Sequence, residues 1–450
     1  MDDKPRKLNI EVTTRCNLNC IMCMRKVWKE DSGDMTMETY RALIPTFREI
    51  ESVNIIGIGE PLLNENIIEM IRLGKEHLPP DGTFSLTTNA TLIDDEIAGH
   101  LVSSGLDDLV VSIDGATSST FNEIRRDASF DQVITNIERL NTSKKKSNSR
   151  TPRIGFEFVA MKRNIDELPQ LVDLASQHGV SFIIVTNLLP HTEDMNQQIL
   201  YDFNSDQAIG IFDEAKVEAQ SFNWDLSLDN IEVETYSNAL FGIPPLKDKL
   251  RLTKPVWTSV PGFDEKMEKQ FKLLEKIAAK AKEQNVLLNL KSLISRDGTF
   301  INHAAEIFSR AAEKAQEHSI TLDLPPLIPK TERECGFIKD RIAFVSWDGY
   351  VRPCNNLYHS YMCYVNDREK SITSVSFGNV LQHDLREIWN SRDYRSFRRQ
   401  VDRFDFAPCG DCPHADGCYA LLAPVFRKDC YDYSLPCGDC PWARGILQCM

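Results

Sequence analysis

Three cysteines near the start of the chain have the spacing of an iron–sulfur site. Cys16, Cys20 and Cys23 are separated by three and two residues and follow an extended apolar segment, residues 8–12. Three thiolates leave one iron of a [4Fe-4S] cluster open to a small molecule, whereas an electron-transfer cluster of this type is held by four. A structural zinc ion is the alternative, although zinc sites favour paired C-x2-C turns. The spacing therefore predicts a cluster whose open iron does chemistry.

The other ten cysteines all follow residue 334, which predicts a second iron–sulfur region. Their pattern includes C-x13-G-x4-C, C-x2-C-x5-C and a Pro-Cys-Gly-Asp-Cys-Pro turn that occurs at residues 408–413 and again at 436–441. The candidate ligands are Cys335, Cys354, Cys363, Cys409, Cys412, Cys418, Cys430, Cys437, Cys440 and Cys449. These ten exceed the eight thiolates that two four-iron clusters need, and Cys363 is the least suitable of them. Zinc stays an alternative, because C-x2-C pairs are good zinc ligands.

Composition excludes several classes of function. The chain of 450 residues begins with a charged segment, so we expect no export signal. In a chain that is not exported, thirteen cysteines indicate metal or redox use rather than disulfides. A net charge of −14 disfavours nonspecific nucleic-acid binding, which needs clustered Lys and Arg. No apolar segment approaches the length of a membrane span. We therefore expect a cytoplasmic protein without nucleic-acid or membrane partners.

Short β-rich segments alternate with amphipathic helical segments through the first half of the chain. The predicted strands are residues 8–12, 53–56, 83–88, 108–113, 154–161 and 181–186. The predicted helices are residues 37–50, 64–77, 94–103, 131–140 and 166–178. This alternation predicts an α/β fold with a parallel sheet and helices outside it. In barrels of this kind the chemistry lies at the carboxyl ends of the strands.

Glycines and polar residues follow several predicted strands and are candidates for binding a small molecule. They are Gly57, Gly59, Glu60, Asn89, Ser112, Asp114 and, on the next helix, Arg125. Glycines let the backbone approach a ligand closely, a carboxylate accepts an ammonium group, and a guanidinium pairs with a carboxylate. Each residue alone is equally consistent with a turn or a surface charge. Their common register with the cysteine triplet makes coincidence improbable.

Together these residues resemble the radical S-adenosylmethionine (radical SAM) superfamily. The triplet matches its C-x3-C-x-φ-C loop with Met22 at φ, and residues 57–61 resemble its Gly-Gly-Glu-Pro motif with Ile58 as the second residue. The resemblance implies a partial (β/α)6 barrel over residues 1–220. It also implies that the triplet holds the cluster and that the strand-end residues bind SAM. Reductive cleavage of SAM would then give a 5'-deoxyadenosyl radical.

The C-terminal cysteines resemble the SPASM domain, which carries auxiliary [4Fe-4S] clusters. This resemblance covers residues 335–450 and implies two such clusters. The family's usual cysteine four residues after Cys418 is replaced by Leu422. Cys430 is the expected substitute.

Residues 221–334 form a predicted insert of helix-then-strand units. A helix ending near residue 283 leads to an alternating segment at 286–290, and a helix ending near 317 leads to a similar one at 320–324. Residues 212–228 align on 308–324 in the same way. Strands that alternate Leu with polar residues bury one face, so a lid beside the barrel is the functional interpretation. Similar Ala/Lys/Glu composition explains the repeat equally well.

Residues 185–195, 374–380 and 436–449 resemble the radical SAM maturases associated with tungsten-containing aldehyde ferredoxin oxidoreductases. This resemblance implies action on such an oxidoreductase or its tungstopterin cofactor, with ferredoxin or flavodoxin as reductant. A peptide or protein maturase is the alternative enzyme. A noncatalytic iron–sulfur carrier is the third hypothesis, but a carrier has no use for an open iron. No histidine pair or nucleophile triad stands out in the sequence, so it names no catalytic acid or base.

Overall fold

The computed structural model describes residues 4–226, 265–414, 418 and 428–448. Within these residues the strands form one large sheet and one hairpin. The large sheet contains β1 (Lys7–Ile10), β2 (Ser52–Ile55), β3 (Thr83–Thr88), β4 (Asp108–Ser112), β5 (Arg153–Ala160), β6 (Phe182–Asn187), β7 (Thr321–Asp323), β8 (Ile342–Val345) and β9 (Val351–Arg352). The hairpin consists of β10 (Tyr361–Val365) and β11 (Arg368–Ile372), which pair antiparallel.

The helices of the first half lie between consecutive strands. They are α1 (Met37–Phe47), α2 (Ile67–His77), α3 (Asp95–Ser103), α4 (Ser118–Ile124), α5 (Phe130–Lys146) and α6 (Leu168–Gln177). Those that follow β6 are α7 (Glu193–Asn196), α8 (Asp206–Gln220), α9 (Glu265–Glu283), α10 (Leu290–Ile294), α11 (Thr299–Glu317), α12 (Gly336–Lys339), α13 (Leu385–Trp389) and α14 (Arg392–Arg403). Side-chain caps fix several helix starts; Asp94, for example, accepts from the backbone N–H of Ile97.

The large sheet confirms the predicted parallel α/β architecture. Its strand order is β7-β6-β5-β4-β3-β2-β1-β8-β9, and every neighbouring pair is parallel except β8 with β9. The five predicted strands after the first match β2 to β6 to within two residues at each end. Because these strands are parallel, their carboxyl ends lie at the same edge, as the predicted site requires.

The two faces of the sheet differ in chemistry. Leu8 and Ile10 of β1 are fully buried in the main hydrophobic core. The intervening Asn9 accepts from the Asn54 amide at 3.2 Å, and Ser85 donates to Asn54 at 2.5 Å. Alternation along each strand therefore gives an apolar face in the main core and a polar face on the other side. The polar face carries hydrogen-bonding groups into the interior of the partial barrel.

The insert only partly follows the predicted pattern. The helix ending near residue 283 is confirmed as α9, and the segment at 320–324 contains β7, which pairs with β6. The predicted strand at residues 286–290 is wrong. Asn289 caps α10 instead, and Val286 and Leu288 pack into a separate core with α8 and α9. Because Val286 and Leu288 are buried in this second core, this segment does not pair at the edge of the large sheet. The end of the proposed 212–228 unit lies outside the described residues.

The predicted C-terminal domain shares the barrel's sheet. β8 lies beside β1, with Leu8 opposite Ala343 and Ile10 opposite Val345. The predicted boundary at residue 335 therefore lies shortly before β8, which belongs to the same sheet as the strands of the first half. Among the described helices, none combines the length and the apolar character needed to cross a membrane.

Candidate active site

The segment that carries the first three cysteines, residues 16–23, is called the cysteine loop. Two of its backbone N–H groups donate to carbonyls at the end of α4, at 3.0 and 3.1 Å. The Arg25 guanidinium donates to the carbonyls of Cys16 and Leu18, each at 3.3 Å. Protein contacts therefore fix the backbone of the loop at the carboxyl edge of the sheet.

The three thiols of the cysteine loop fit a cluster held by three ligands. They are free of disulfides, and burial raises the pKa of Cys20 to about 11 and also raises the pKa of Cys23. Arg125 opposes this shift at Cys20 by favouring the thiolate. The backbone N–H of Leu18 lies 3.5 Å from the sulfur of Cys16 and donates to it. Metal ligation needs thiolates, so cluster assembly at these buried thiols releases protons.

Residues 57–60, the glycine turn, lie against the segment that leads into the cysteine loop. A Cβ at Gly59 would lie 2.3 Å from the carbonyl oxygen of Thr13, and one at Gly57 would lie 2.6 Å from Cγ of Glu11. Only glycine permits such approach without displacing the backbone or a buried side chain. The turn therefore places backbone groups beside the cysteine loop, where the resemblance predicts SAM.

Glu60 is buried, and its carboxylate already accepts three hydrogen bonds. The donors are the Thr88 hydroxyl at 2.6 Å, the Asn89 N–H at 2.7 Å and the Leu62 N–H at 3.1 Å. Burial raises the pKa of Glu60, and these donors oppose that shift. An ionised carboxylate has about four acceptor sites, so little capacity remains for a ligand ammonium. The contacts assign Glu60 a role in joining the glycine turn to the end of β3, and ammonium binding stays a prediction.

Asn89 connects the end of β3 to the cysteine loop. Its amide nitrogen donates to Asn17 Oδ1 at 2.9 Å and lies 3.9 Å from the sulfur of Cys16. Its amide oxygen accepts from the N–H and hydroxyl of Thr91 at 3.0 and 2.7 Å. The predicted site residue is thus adjacent to a predicted ligand.

Asp114 and Arg125 form a buried ion pair in the interior of the partial barrel, and Ser112 contacts the neighbouring Glu157. Arg125 Nε lies 2.7 Å from Asp114 Oδ2, and the other oxygen of Asp114 accepts from the N–H of Val159 at 2.8 Å. The Ser112 hydroxyl donates to Glu157 at 3.3 Å. These contacts place a buried guanidinium between two strand ends.

The charge of Arg125 is maintained by its neighbours. Burial lowers its pKa, but Asp114, Cys20 and Glu157 outweigh that effect and raise it. Arg125 also favours the ionised forms of Glu157 and Glu60. The guanidinium therefore compensates buried negative charge beside the cysteine loop, and its predicted contact with the SAM carboxylate would add to this role.

Replacing Arg125 by Met should lower the free energy of unfolding by about 3–5 kcal/mol. The substitution leaves the Asp114 carboxylate buried without its cation, and an uncompensated buried charge carries a cost of that size. Denaturant titration of the metal-free chain measures the effect. Arg126→Met, at the adjacent exposed position, is the matched control. Adding Asp114→Asn to the Arg125→Met chain should restore part of the loss; no restoration would contradict the ion-pair explanation.

Four charged residues of this region, Glu11, Glu30, Glu157 and His359, are not among the predicted site residues. Glu11 and Glu157 interrupt apolar strand segments, and that interruption was an available signal. His359 contacts Glu11 and Glu30, which lie 348 and 329 positions away in sequence. A contact between residues this far apart in sequence leaves no local sequence pattern, so only the fold reveals it.

Four C-terminal cysteines line one cavity and are called the first auxiliary thiol set. They are Cys335, Cys354, Cys437 and Cys440. The same cavity is lined by apolar side chains, among them Phe337, Phe397 and Val401. Burial raises the pKa of every thiol in the set, that of Cys335 to about 12. Four thiols around an apolar cavity are a suitable environment for a four-ligand cluster.

Four other cysteines form the second auxiliary thiol set. They are Cys409, Cys412, Cys418 and Cys430. Burial raises the pKa of Cys409, Cys412 and Cys430, and charge on neighbouring members of the set raises it further. Such mutual effects require proximity, so the predicted substitute Cys430 lies near Cys412 and Cys418.

Two candidate ligands fall outside these sets. Cys363 lies on β10 opposite Lys370 of β11 and is buried in the main core. Burial raises its pKa to about 12; Lys370 opposes this shift, and charge on Asp439 and on Cys440 of the first set adds to it. Cys449 lies outside the described residues.

The repeated Pro-Cys-Gly-Asp-Cys-Pro turns each contain a buried aspartate with its own cation. Asp411 of the first turn lies 3.3 Å from the Arg444 guanidinium, and Asp439 of the second pairs with Lys370. Arg333 links the turns by donating to the carbonyl of Ala407, next to the first turn, at 3.2 Å and to the carbonyl of Gly438, within the second turn, at 3.1 Å. The two ligand pairs are therefore packed together and surrounded by cations.

In the part of the chain that the structure describes, no three His, Cys, Asp or Glu side chains converge on a point that one metal ion would occupy.

Two protein-family profiles match this chain. A profile described as the radical SAM superfamily matches residues 10–175, which contain the cysteine loop and β2 to β5. A profile described as an iron-sulfur cluster-binding domain, SPASM, matches residues 335–413. The second match ends before Cys418, Cys430, Cys437 and Cys440. These four members of the two thiol sets therefore lie beyond the matched region.

Two curated relatives differ in how much of the chain they match. The tungsten-containing aldehyde ferredoxin oxidoreductase cofactor-modifying protein of Pyrococcus furiosus is 25% identical over 418 residues, which cover 91% of this chain and 88% of the relative. Mycofactocin maturase MftC of Mycolicibacterium smegmatis is 26% identical over 213 residues, which cover 45% of this chain and 52% of the relative.

A solved structure confirms the fold. The structure of Streptococcus suis SuiB bound to S-adenosylmethionine matches with a TM-score of 0.50 and 14% sequence identity. The match covers 93% of this chain and 73% of that chain. The likeness thus extends over the barrel and the C-terminal cysteine region together.

Proposed function

We propose that this protein, a radical SAM enzyme and maturase of the SPASM subfamily, matures a tungsten-dependent oxidoreductase or its tungstopterin cofactor. The observation that carries the proposal is the extent of the match to the Pyrococcus furiosus cofactor-modifying protein. That match covers 91% of this chain, so it must extend into the insert, whereas the match to the mycofactocin maturase covers 45%.

The residues of the cysteine loop have the chemistry to hold a cluster with an open iron. Cys16, Cys20 and Cys23 would supply the thiolates, and cluster and SAM together would supply a carbon-centred radical that abstracts hydrogen from the substrate. The glycine turn would admit SAM beside the loop. Arg125 compensates negative charge there, and Asn89 orients the loop through Asn17.

Two auxiliary clusters account for the C-terminal cysteines. The first auxiliary thiol set would hold one and the second set the other, each with four ligands. The cavity shared by the first set and the mutual charge effects within the second support this division. Cys363 would be a structural thiol, and Cys449 is unassigned. A small reductant such as ferredoxin or flavodoxin would supply electrons in a reducing, anaerobic cytoplasm.

Maturation of a peptide or protein is the second candidate function. Its support is the 26% identity to mycofactocin maturase MftC over 213 residues. That alignment spans about half of each chain, so it supports the chemistry of the barrel more than a shared substrate.

The test compares the cofactor of the oxidoreductase made with and without this protein. Tungsten oxidoreductase purified from the two backgrounds should carry bound cofactors of different mass. A background that produces the Cys20→Ala chain is the matched control and should give the unmodified mass. An identical mass in all three preparations would refute this function and favour a peptide substrate, which mass spectrometry of co-expressed precursor peptides would then detect.

A further inference from the structure

Three charged side chains from distant parts of the chain meet near the glycine turn; those of Glu11 and His359 are buried, and that of Glu30 is 34% exposed. Glu11 follows β1, Glu30 follows the cysteine loop, and His359 lies in the C-terminal region between two cysteines. His359 Nε2 lies 2.9 Å from Glu11 Oε2 and 3.2 Å from Glu11 Oε1, and its Nδ1 lies 2.6 Å from Glu30 Oε2. The side chain of His359 is 2% exposed.

Two carboxylates on opposite sides of the ring favour a doubly protonated imidazole. Burial lowers the pKa of His359, but hydrogen bonds and charge from Glu11 and Glu30 raise it to about 9. Burial acts to raise the pKa of Glu30, but His359 and the N–H of Ser360 lower it to about 2. The rings of Trp28 and Tyr358 pack against the imidazole. His359 is therefore a cation at neutral pH and loses its proton as the pH rises through about 9.

Glu11 connects this cation to the glycine turn. Its Oε1 accepts from the N–H of Ile58 at 3.3 Å, and Gly57 lies so close to its side chain that a Cβ there would be 2.6 Å from Cγ. Movement of the Glu11 carboxylate would therefore disturb the turn directly. The other end of the contact, His359, belongs to the SPASM region.

We propose that His359 is a positioning residue through which the SPASM region holds the glycine turn in the conformation that binds SAM. The proposal rests on the glycine turn as the SAM-binding element and is independent of the proposed substrate. Both ring nitrogens are occupied by carboxylates, so the imidazole acts through Glu11 and not on the substrate. Loss of the Nε2 proton replaces the donor to Glu11 by a lone pair, which repels that carboxylate and frees the turn.

The test measures SAM affinity and the kinetics of SAM cleavage by the anaerobically reconstituted full chain between pH 7 and 10. The unmodified protein should bind SAM with constant affinity at neutral pH and lose affinity as the pH rises through about 9. His359→Gln should bind SAM about tenfold more weakly at neutral pH, since a hydrogen bond to a charged partner is lost. Its kcat at saturating SAM should change less than its KM, and its affinity should no longer fall near pH 9.

Glu30→Gln provides a second variant. It leaves His359 in place and replaces Glu30 by a side chain of the same shape. One of the two carboxylates that raise the His359 pKa is then neutral, so the loss of SAM affinity should move to lower pH. His383→Gln, at an exposed histidine in the same region, is the matched control and should keep the unmodified profile. A fall in affinity near pH 9 that persists in His359→Gln, or a Glu30→Gln midpoint that does not move, would overturn the proposal. If His359→Gln fails to retain iron, the Glu30→Gln midpoint decides.

Discussion

Replacing Cys20 by Ala should abolish SAM cleavage while the C-terminal region keeps its iron. Cys20 is the most buried thiol of the cysteine loop and would supply one of three ligands to the cluster with an open iron. With two ligands left, that cluster has no stable attachment, and 5'-deoxyadenosine formation should fall to the background of the assay. Anaerobic reconstitution followed by chromatographic detection of 5'-deoxyadenosine measures the loss.

Cys363→Ala is the matched control for this experiment. It also removes a buried thiol, but one that lies in the main core opposite Lys370. Its iron content and SAM cleavage should match those of the unmodified chain. SAM cleavage that survives in Cys20→Ala would contradict the assignment of the cysteine loop. Equal losses in both variants would instead indicate general damage to folding.

The two auxiliary thiol sets should behave as separate units when they are substituted in combination. Cys437→Ala and Cys412→Ala should each remove about four irons and four sulfides per chain, since each affects a different cluster. Joining Cys437→Ala to Cys440→Ala should remove no more than either substitution alone. Joining Cys437→Ala to Cys412→Ala should remove about eight irons.

Iron, sulfide and zinc analysis of the full chain distinguishes the alternatives. If the cross-set pair loses no more iron than Cys437→Ala alone, the two sets share one cluster and the proposed division is wrong. Stoichiometric zinc without sulfide would show that the C-x2-C turns are zinc sites. Cys363→Ala again serves as the control that should retain all iron.

Much of the barrel was predictable because its signals are local. Apolar strands alternate with amphipathic helices. The polar residues that directly follow the strands are in register with the cysteine loop. Asn89 and Arg125 match the radical SAM pattern at these positions; the Asn89 amide nitrogen lies 3.9 Å from the sulfur of Cys16, and the charge of Cys20 acts on Arg125. The role of Glu60 was less accessible, because its partners Thr88 and Asn89 lie at the end of β3, 28 and 29 positions away in sequence.

The insert and the C-terminal region were harder to predict because distant contacts decide their structure. Residues 286–290 have an alternating pattern, but packing against α8 and α9 prevents strand formation. Equally, nothing in the four residues of β8 indicates that they pair with β1. The division of the cysteines into two sets depends on how the repeated turns pack, which identical hexapeptides cannot encode.

The pairing of β8 with β1 limits which parts of the chain can be exchanged between relatives or replaced by engineering. A cut before residue 335 separates the cysteine-rich region from the rest of the chain, yet it leaves β1 as an open edge with unpaired backbone groups. The cysteine-rich region would in turn lose the neighbour of its first strand. We therefore expect relatives to exchange the whole chain rather than one of its regions. Grafting another SPASM domain onto this barrel should succeed only if that domain brings a strand that pairs with β1 as β8 does.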